Sequence, residues 1–145
     1  MKKIISITLA VLLLVCTALT LISCNSVDAE GLWENATHRR DKTFGSGDKT
    51  FSVTVTAGES SVVFTVRTDK DNLADALLKH ELIDGEEGDF GFTVYSVNGM
   101  TADFTVDKAY WAIYVGDKYA STGASGIKIA DGASYSFVYE VYSAY

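Results

Sequence analysis

Proline is absent from the 145 residues, and the two cysteines, Cys16 and Cys24, both fall within the first 24. From Asn25 onward the chain has no thiol, so neither a disulfide nor a thiolate metal site can hold its fold together. Histidine is equally scarce, with His38 in a polar stretch and His80 on a predicted helix. His80 precedes Glu81, but adjacent helical positions point about 100° apart, so the two do not face each other. The sequence has no glycine-rich phosphate loop with a lysine and no His-Glu-x-x-His zinc pair. The run Asp84-Gly85-Glu86-Glu87-Gly88-Asp89 lacks the spaced ligand register of a calcium loop and reads as a solvated acidic turn. Catalysis therefore has no evident nucleophile, base or metal, and the expectation is a protein that is not an enzyme.

What is present begins at the amino end. Met1-Lys2-Lys3 gives a short basic start, an uncharged apolar stretch runs from Ile4 to Leu21, and Leu21-Ile22-Ser23 leads into Cys24. A basic start, an apolar run and small residues before a cut site make a secretory signal. The last four residues of the pattern resemble the lipobox of bacterial lipoproteins, which implies cleavage before Cys24 and acylation of that cysteine. A diacylated Cys24 would supply the two chains that stable anchoring takes. The alternative is a retained membrane helix, since the run approaches the roughly 20 residues that span a bilayer. The position of Cys24 favours the signal, with residues 1–23 discarded and the protein held at an extracytoplasmic membrane surface.

Loss of Lys2 and Lys3 leaves 10 of the 12 basic residues against 19 acidic ones, a formal charge of −9. Nucleic acid is excluded as a natural partner, because phosphate neutralisation needs clustered Lys and Arg. The one basic cluster, His38-Arg39-Arg40 with Lys42, reads as a solvated or membrane-proximal stretch. Residues 24–49 have few periodic apolar positions and carry Gly45-Ser46-Gly47, so they are expected to form a flexible tether. Such a coil would reach about 25 to 30 Å. Trp33 has no evident role within it.

A single domain over 50–145 follows. Phe51, Val53 and Val55 alternate with Ser52, Thr54 and Thr56, Ala57-Gly58-Glu59 supplies a turn, and Val62 to Val66 is rich in β-branched residues, together a hairpin. Asp69 to Asp71 offer capping oxygens to a helix whose Leu73, Ala76, Leu77 and His80 share one face. Gly85 to Gly88 break the pattern. Beyond them Phe92, Val94 and Ser96 alternate with Thr93, Tyr95 and Val97, and Asn98-Gly99 is a strong hairpin signal. Strands follow over Tyr110 to Val115 and Tyr135 to Tyr142. The order strand, strand, helix, strands predicts an α+β fold, β-grasp-like, with one helix packed on a mixed or antiparallel sheet.

Several of these segments together resemble the transcobalamin C-terminal-like domain of bacterial surface proteins. They are Leu73 to Leu78, Tyr95-Ser96-Val97-Asn98-Gly99, Tyr110-Trp111-Ala112-Ile113-Tyr114-Val115, Gly116-Asp117-Lys118, Ser121-Thr122-Gly123 and Asp131-Gly132. The likeness spans about residues 50 to 140. It implies a β-grasp-like fold and, by analogy with vitamin B12 carriers, a surface that covers one face of a corrinoid such as cobalamin.

All eight tyrosines follow Phe90, as does Trp111. Their apolar bodies and polar tips suit a surface that stacks on a flat ligand. The candidate ligand contacts are Tyr95, Trp111, Tyr114 and the loop Ser121, Thr122, Gly123. Trp111, with Ile113 and Val115, also fits a core face, and the loop also fits a plain connection. The functional expectation is a lipid-anchored binding module for a corrinoid-like ligand; the alternative is a cell-surface module that docks an envelope protein or polysaccharide.

Overall fold

A computed structural model describes residues 29–144. The proposed signal and Cys24 lie outside the described residues.

A short helix α1 (Ala29–Leu32) and a 3-10 turn (Trp33–Asn35) lead into strands β1 (Lys42–Gly45), β2 (Lys49–Ala57) and β3 (Ser60–Thr68). Helix α2 (Leu73–Leu78) follows, then β4 (Ile83–Gly88), β5 (Gly91–Val97) and β6 (Met100–Thr101). The chain ends with β7 (Ala109–Val115), β8 (Lys118–Tyr119), a 3-10 turn (Ala124–Gly126) and β9 (Ser134–Val141). Six strands form one mixed sheet in the order β1-β3-β2-β9-β7-β8, and β4-β5-β6 form an antiparallel sheet of three. The hairpin β2–β3, the crossing helix and the parallel placement of β9 beside β2 give the β-grasp order. Fold class and element order are as the sequence pattern predicts.

Period-two alternation turns Phe51, Val53, Val55 and Ala57 of β2 to one side, together with Val62, Phe64 and Val66 of β3 and Tyr135 and Phe137 of β9. Leu73, Ala74, Ala76 and Leu77 of α2 and Phe92, Val94 and Val97 of β5 complete the same core. Buried Trp111 donates its Nε1–H to the Met100 carbonyl at 3.1 Å, which satisfies its one polar atom inside that core.

Several expectations are corrected. The tether is not a free coil from Ala29 onward. Its Lys42–Gly45 stretch pairs in parallel with β3, and Trp33 Nε1 donates to the Ala57 carbonyl at 2.9 Å. Fully buried Asn98 clasps the backbone of His38, accepting from its N–H at 2.9 Å and donating to its carbonyl at 2.7 Å. Helix α2 ends before His80, which sits in the following turn against Phe44 at 5.6 Å. Its cap is Asn72, whose side chain accepts from the Asp75 N–H at 2.9 Å, while Asp71 pairs with Lys49 at 2.8 Å. The acidic run is strand β4, because its backbone pairs with β5 regardless of side chain. A register shift between Asp84 and Gly85 breaks the alternation of β5, so Val97 is buried where Ser96 was expected. The turn between β5 and β6 is the predicted Asn98-Gly99, with φ of 53° and 81°.

Candidate functional site

The two sheets meet where β5 passes β7, and a trough lies along this seam. One end is a cavity of about 540 Å³ walled mainly by apolar surface, including Tyr95, Ala102, Phe104 and Tyr110. The other, of about 230 Å³, is lined by Phe92, Trp111, Tyr119, Thr122 and Gly123 among others. Thr93, Val94 and Tyr110 border both and form the neck between them. The larger cavity is within the usual size range of small-molecule sites.

Each wall is held in place. Tyr95 projects from β5 and donates its hydroxyl to Glu86 of the neighbouring strand at 3.2 Å. That bond, with the carboxylate charge, raises the phenol pKa. Asp103 closes a local turn by accepting from the N–H and hydroxyl of Thr105 and from the N–H of Val106, which lowers its own pKa. The turn presents half-exposed Phe104, with the Lys108 ammonium 5.5 Å from its ring centre. At the opposite end Thr122 Oγ1 and Gly123 N–H both donate to the Phe90 carbonyl, at 2.9 and 2.7 Å. A side chain at Gly123 would lie 2.6 Å from the Phe92 carbonyl oxygen, so this close approach requires glycine. Ser125 adds a bridge, accepting from the Phe92 N–H and donating to Glu87.

Tyr110 joins this trough to the outer face of the six-stranded sheet. Its hydroxyl donates to Glu140 at 2.7 Å, and the Tyr114 hydroxyl donates to the other oxygen of the same carboxylate at 2.8 Å. The hydrogen bond, partial burial and the negative charge push Tyr110 up to about 12. The ring of Tyr114 meets that of Tyr119 edge-on at 5.5 Å.

Of the six ligand candidates from the sequence, Tyr95, Trp111, Thr122 and Gly123 line the trough, at its two ends. Trp111 does so as a buried wall residue rather than an exposed contact. Tyr114 points to the outer sheet face beside the trough, and Ser121 lines neither cavity. Among the lining residues that sequence reasoning missed are the aromatic Phe104, Tyr110 and Tyr119. Tyr119 had a signal, since the Gly116-Asp117 turn pairs it directly with Tyr114. Phe104 had none, because it lies in an aperiodic polar segment. A separate cavity of about 450 Å³, between Thr37, the turn after α2 and β4, brings in no aromatic side chain. Among the described residues no group of three or more His, Cys, Asp or Glu side chains is arranged to hold a metal ion.

Residues 70–140 match the family model of a domain of unknown function, DUF4430. That match runs from just before α2 to the end of β9. No curated protein matches the chain. Among solved structures, one from Ruminococcus gnavus ATCC 29149, described as a "putative metal binding protein", is 29% identical with a TM-score of 0.62 and covers 66% of this chain and 100% of its own. Haptocorrin in complex with Cbi is 19% identical with a TM-score of 0.53; the match covers 69% of this chain and 27% of haptocorrin. The fold is thus similar to about a quarter of the haptocorrin chain.

Proposed function

We propose that the protein is a binding module, working without catalysis, whose β5–β7 trough takes one face of a flat, largely apolar ligand of the corrinoid class. The observation that carries this reading is the trough itself, with Tyr95 and Phe104 at its wide end and Tyr110 at its neck. Aromatic walls with hydroxyl tips match a ligand that is flat and apolar in the middle and polar at its rim. The likeness to haptocorrin, whose structure holds the corrinoid Cbi, supports the choice of ligand class. A β-grasp domain of this kind covers one face of the ligand, and the opposite face is left to solvent or to a partner.

The same proposal places the module outside the cytoplasm, anchored through lipid on Cys24. Since the described chain docks on the domain from Ala29 onward, few residues separate that cysteine from the folded body. The domain would sit close against the membrane rather than on a long stalk. Mass spectrometry of the cell-extracted protein tests the anchor: a diacylated Cys24 at the new amino terminus is expected, and an intact Met1 or unmodified Cys24 would overturn it. Absorbance titration with cyanocobalamin and cobinamide tests the ligand. Saturable spectral change with at least one is expected, and none with either at high micromolar concentration would reject the corrinoid class.

A further inference from the structure

The outer face of the six-stranded sheet, opposite the core, is built differently from the rest of the surface. On β2 it carries Ser52, Thr54 and Thr56, and their partners on β9 are Ser134, Ser136 and Val138. Ser52 Oγ donates to Ser134 Oγ at 3.0 Å, so the hydroxyl rows of the two strands lie side by side. Rows on adjacent strands are about 4.8 Å apart, and same-face residues along a strand are about 6.7 Å apart, giving a regular grid of hydroxyls. The β2 positions and Ser136 are half-exposed along this face.

At the β7 end the grid runs into the tyrosine cluster. Glu140 lies directly opposite Tyr110 in the sheet, and Tyr114 lies opposite Ser136. For the Tyr114 hydroxyl to reach Glu140, its ring must lean back along the strand over Ala112, which is fully buried as a result. Tyr110 reaches the same carboxylate from its own side, and Tyr119, largely exposed, packs edge-on against Tyr114. Two partly exposed phenol rings are thereby held by hydrogen bonds, with Tyr119 packed against one of them, which leaves them less conformational freedom to lose on binding.

Charge is the third observation. The whole chain carries −7 and is strongly acidic, yet across β3, β2, β9 and β7 the charged side chains on this face are Arg67, exposed near the end of β3, and Glu140, which is engaged by two phenols. A hydroxyl-rich aromatic face with one cation and one engaged carboxylate offers no concentrated charge to a charged polymer. It matches a neutral glycan, whose C–H faces stack on tyrosine rings and whose hydroxyls exchange hydrogen bonds with a serine and threonine grid.

We infer that this face is a second binding surface, for a neutral polysaccharide, with Tyr114 and Tyr119 as its stacking platform, Ser136 and Thr54 as hydroxyl partners and Glu140 as the residue that positions the rings. The surface adjoins the trough and shares Tyr110 and Tyr119 with its lining, but Tyr114, Ser136 and Thr54 lie outside both cavities, so the inference stands whether or not the trough takes a corrinoid.

Affinity electrophoresis of the detergent-purified chain through gels containing hydroxyethylcellulose, arabinoxylan or soluble starch tests it, with polygalacturonate as the charged comparison. Retardation by at least one neutral polymer and none by polygalacturonate is expected. The Tyr114→Ala/Tyr119→Ala double variant should abolish it, and Glu140→Gln should weaken it. Ser136→Arg, which blocks the face without truncating a ring, should abolish it too, and Tyr95→Ala in the trough should leave it unchanged. The inference is overturned by the absence of retardation in every neutral polymer, by retardation in polygalacturonate alone, or by retardation that survives both the double variant and Ser136→Arg.

Discussion

Glu140 accepts from two phenols at once, and the consequences appear in how those phenols titrate. The bond from Tyr110 and the adjacent carboxylate charge stabilise the neutral phenol, raising its folded pKa above the ordinary value of 10.0 to about 12. The stabilisation is therefore complete below pH 10 and is lost as the pH rises from 10 towards 12, where the unfolded chain ionises first. Ultraviolet titration of the phenolates should show a late-ionising component that disappears in Tyr110→Phe. In Glu140→Gln that component should move down towards 10. A Tyr110 that titrates with the other tyrosines in the unmodified protein would contradict the hydrogen-bonded geometry. At the same scale, Gly123 is fixed by space: a methyl group there meets the Phe92 carbonyl, so Gly123→Ala should displace the 120–126 loop from the β4–β5 hairpin.

Among the elements, the amino-terminal arm depends on a few long-range contacts. Asn98 holds it through two side-chain hydrogen bonds to His38 while keeping a positive φ at its own turn. Asn98→Gly tolerates that φ and removes the clasp together with a fully buried side chain, and a loss of about 1–3 kcal/mol or more in urea unfolding is expected. Limited proteolysis should then cut between Ala36 and Lys42 before any other site. His38 and His80 flank Phe44 at 5.2 and 5.6 Å, and burial, followed by Lys42 for one and Lys79 for the other, lowers both pKa values. A depressed folded pKa makes docking fully stable above the ordinary histidine value of 6.5, and that contribution is lost as pH falls through the folded values. Arm protection against protease should weaken on acidification from pH 7.5 to 5, and the His38→Gln/His80→Gln variant should flatten that dependence.

The strands β2, β3 and β9 are legible in the sequence because one buried face forces strict alternation. β4 is not, since only Ile83 among its residues is buried and its glycines and acids carry no period; its strand comes from pairing with β5. The arm is invisible for a related reason. Its anchors join Trp33 to a backbone carbonyl 24 residues away and His38 to Asn98 60 residues away, and no local pattern encodes such contacts. Tyr95 and Trp111 were readable from tyrosine and tryptophan placement, whereas Phe104 and Tyr110 enter the candidate site only through the way the small sheet leans on the edge of the large one.

At the scale of the molecule, function follows from that lean. The edge of β7 beyond the two-residue β8 is left for β5 to approach, and the space between the sheets becomes the trough. A β-grasp layer thus supplies a rigid frame, and the aromatic residues on its seam supply the contact surface. Thr93 is exposed at the neck, bordering both cavities, so a tryptophan there would fill the trough from a strand position that suits a large aromatic residue. Isothermal titration of the full chain and its Thr93→Trp variant with cobinamide tests the account most directly. Saturable heat from the unmodified chain, with affinity at least about tenfold weaker in the variant, equivalent to about 1.4 kcal/mol, is the predicted result. No saturable heat at high micromolar concentration, or equal affinity in the folded variant, would contradict it.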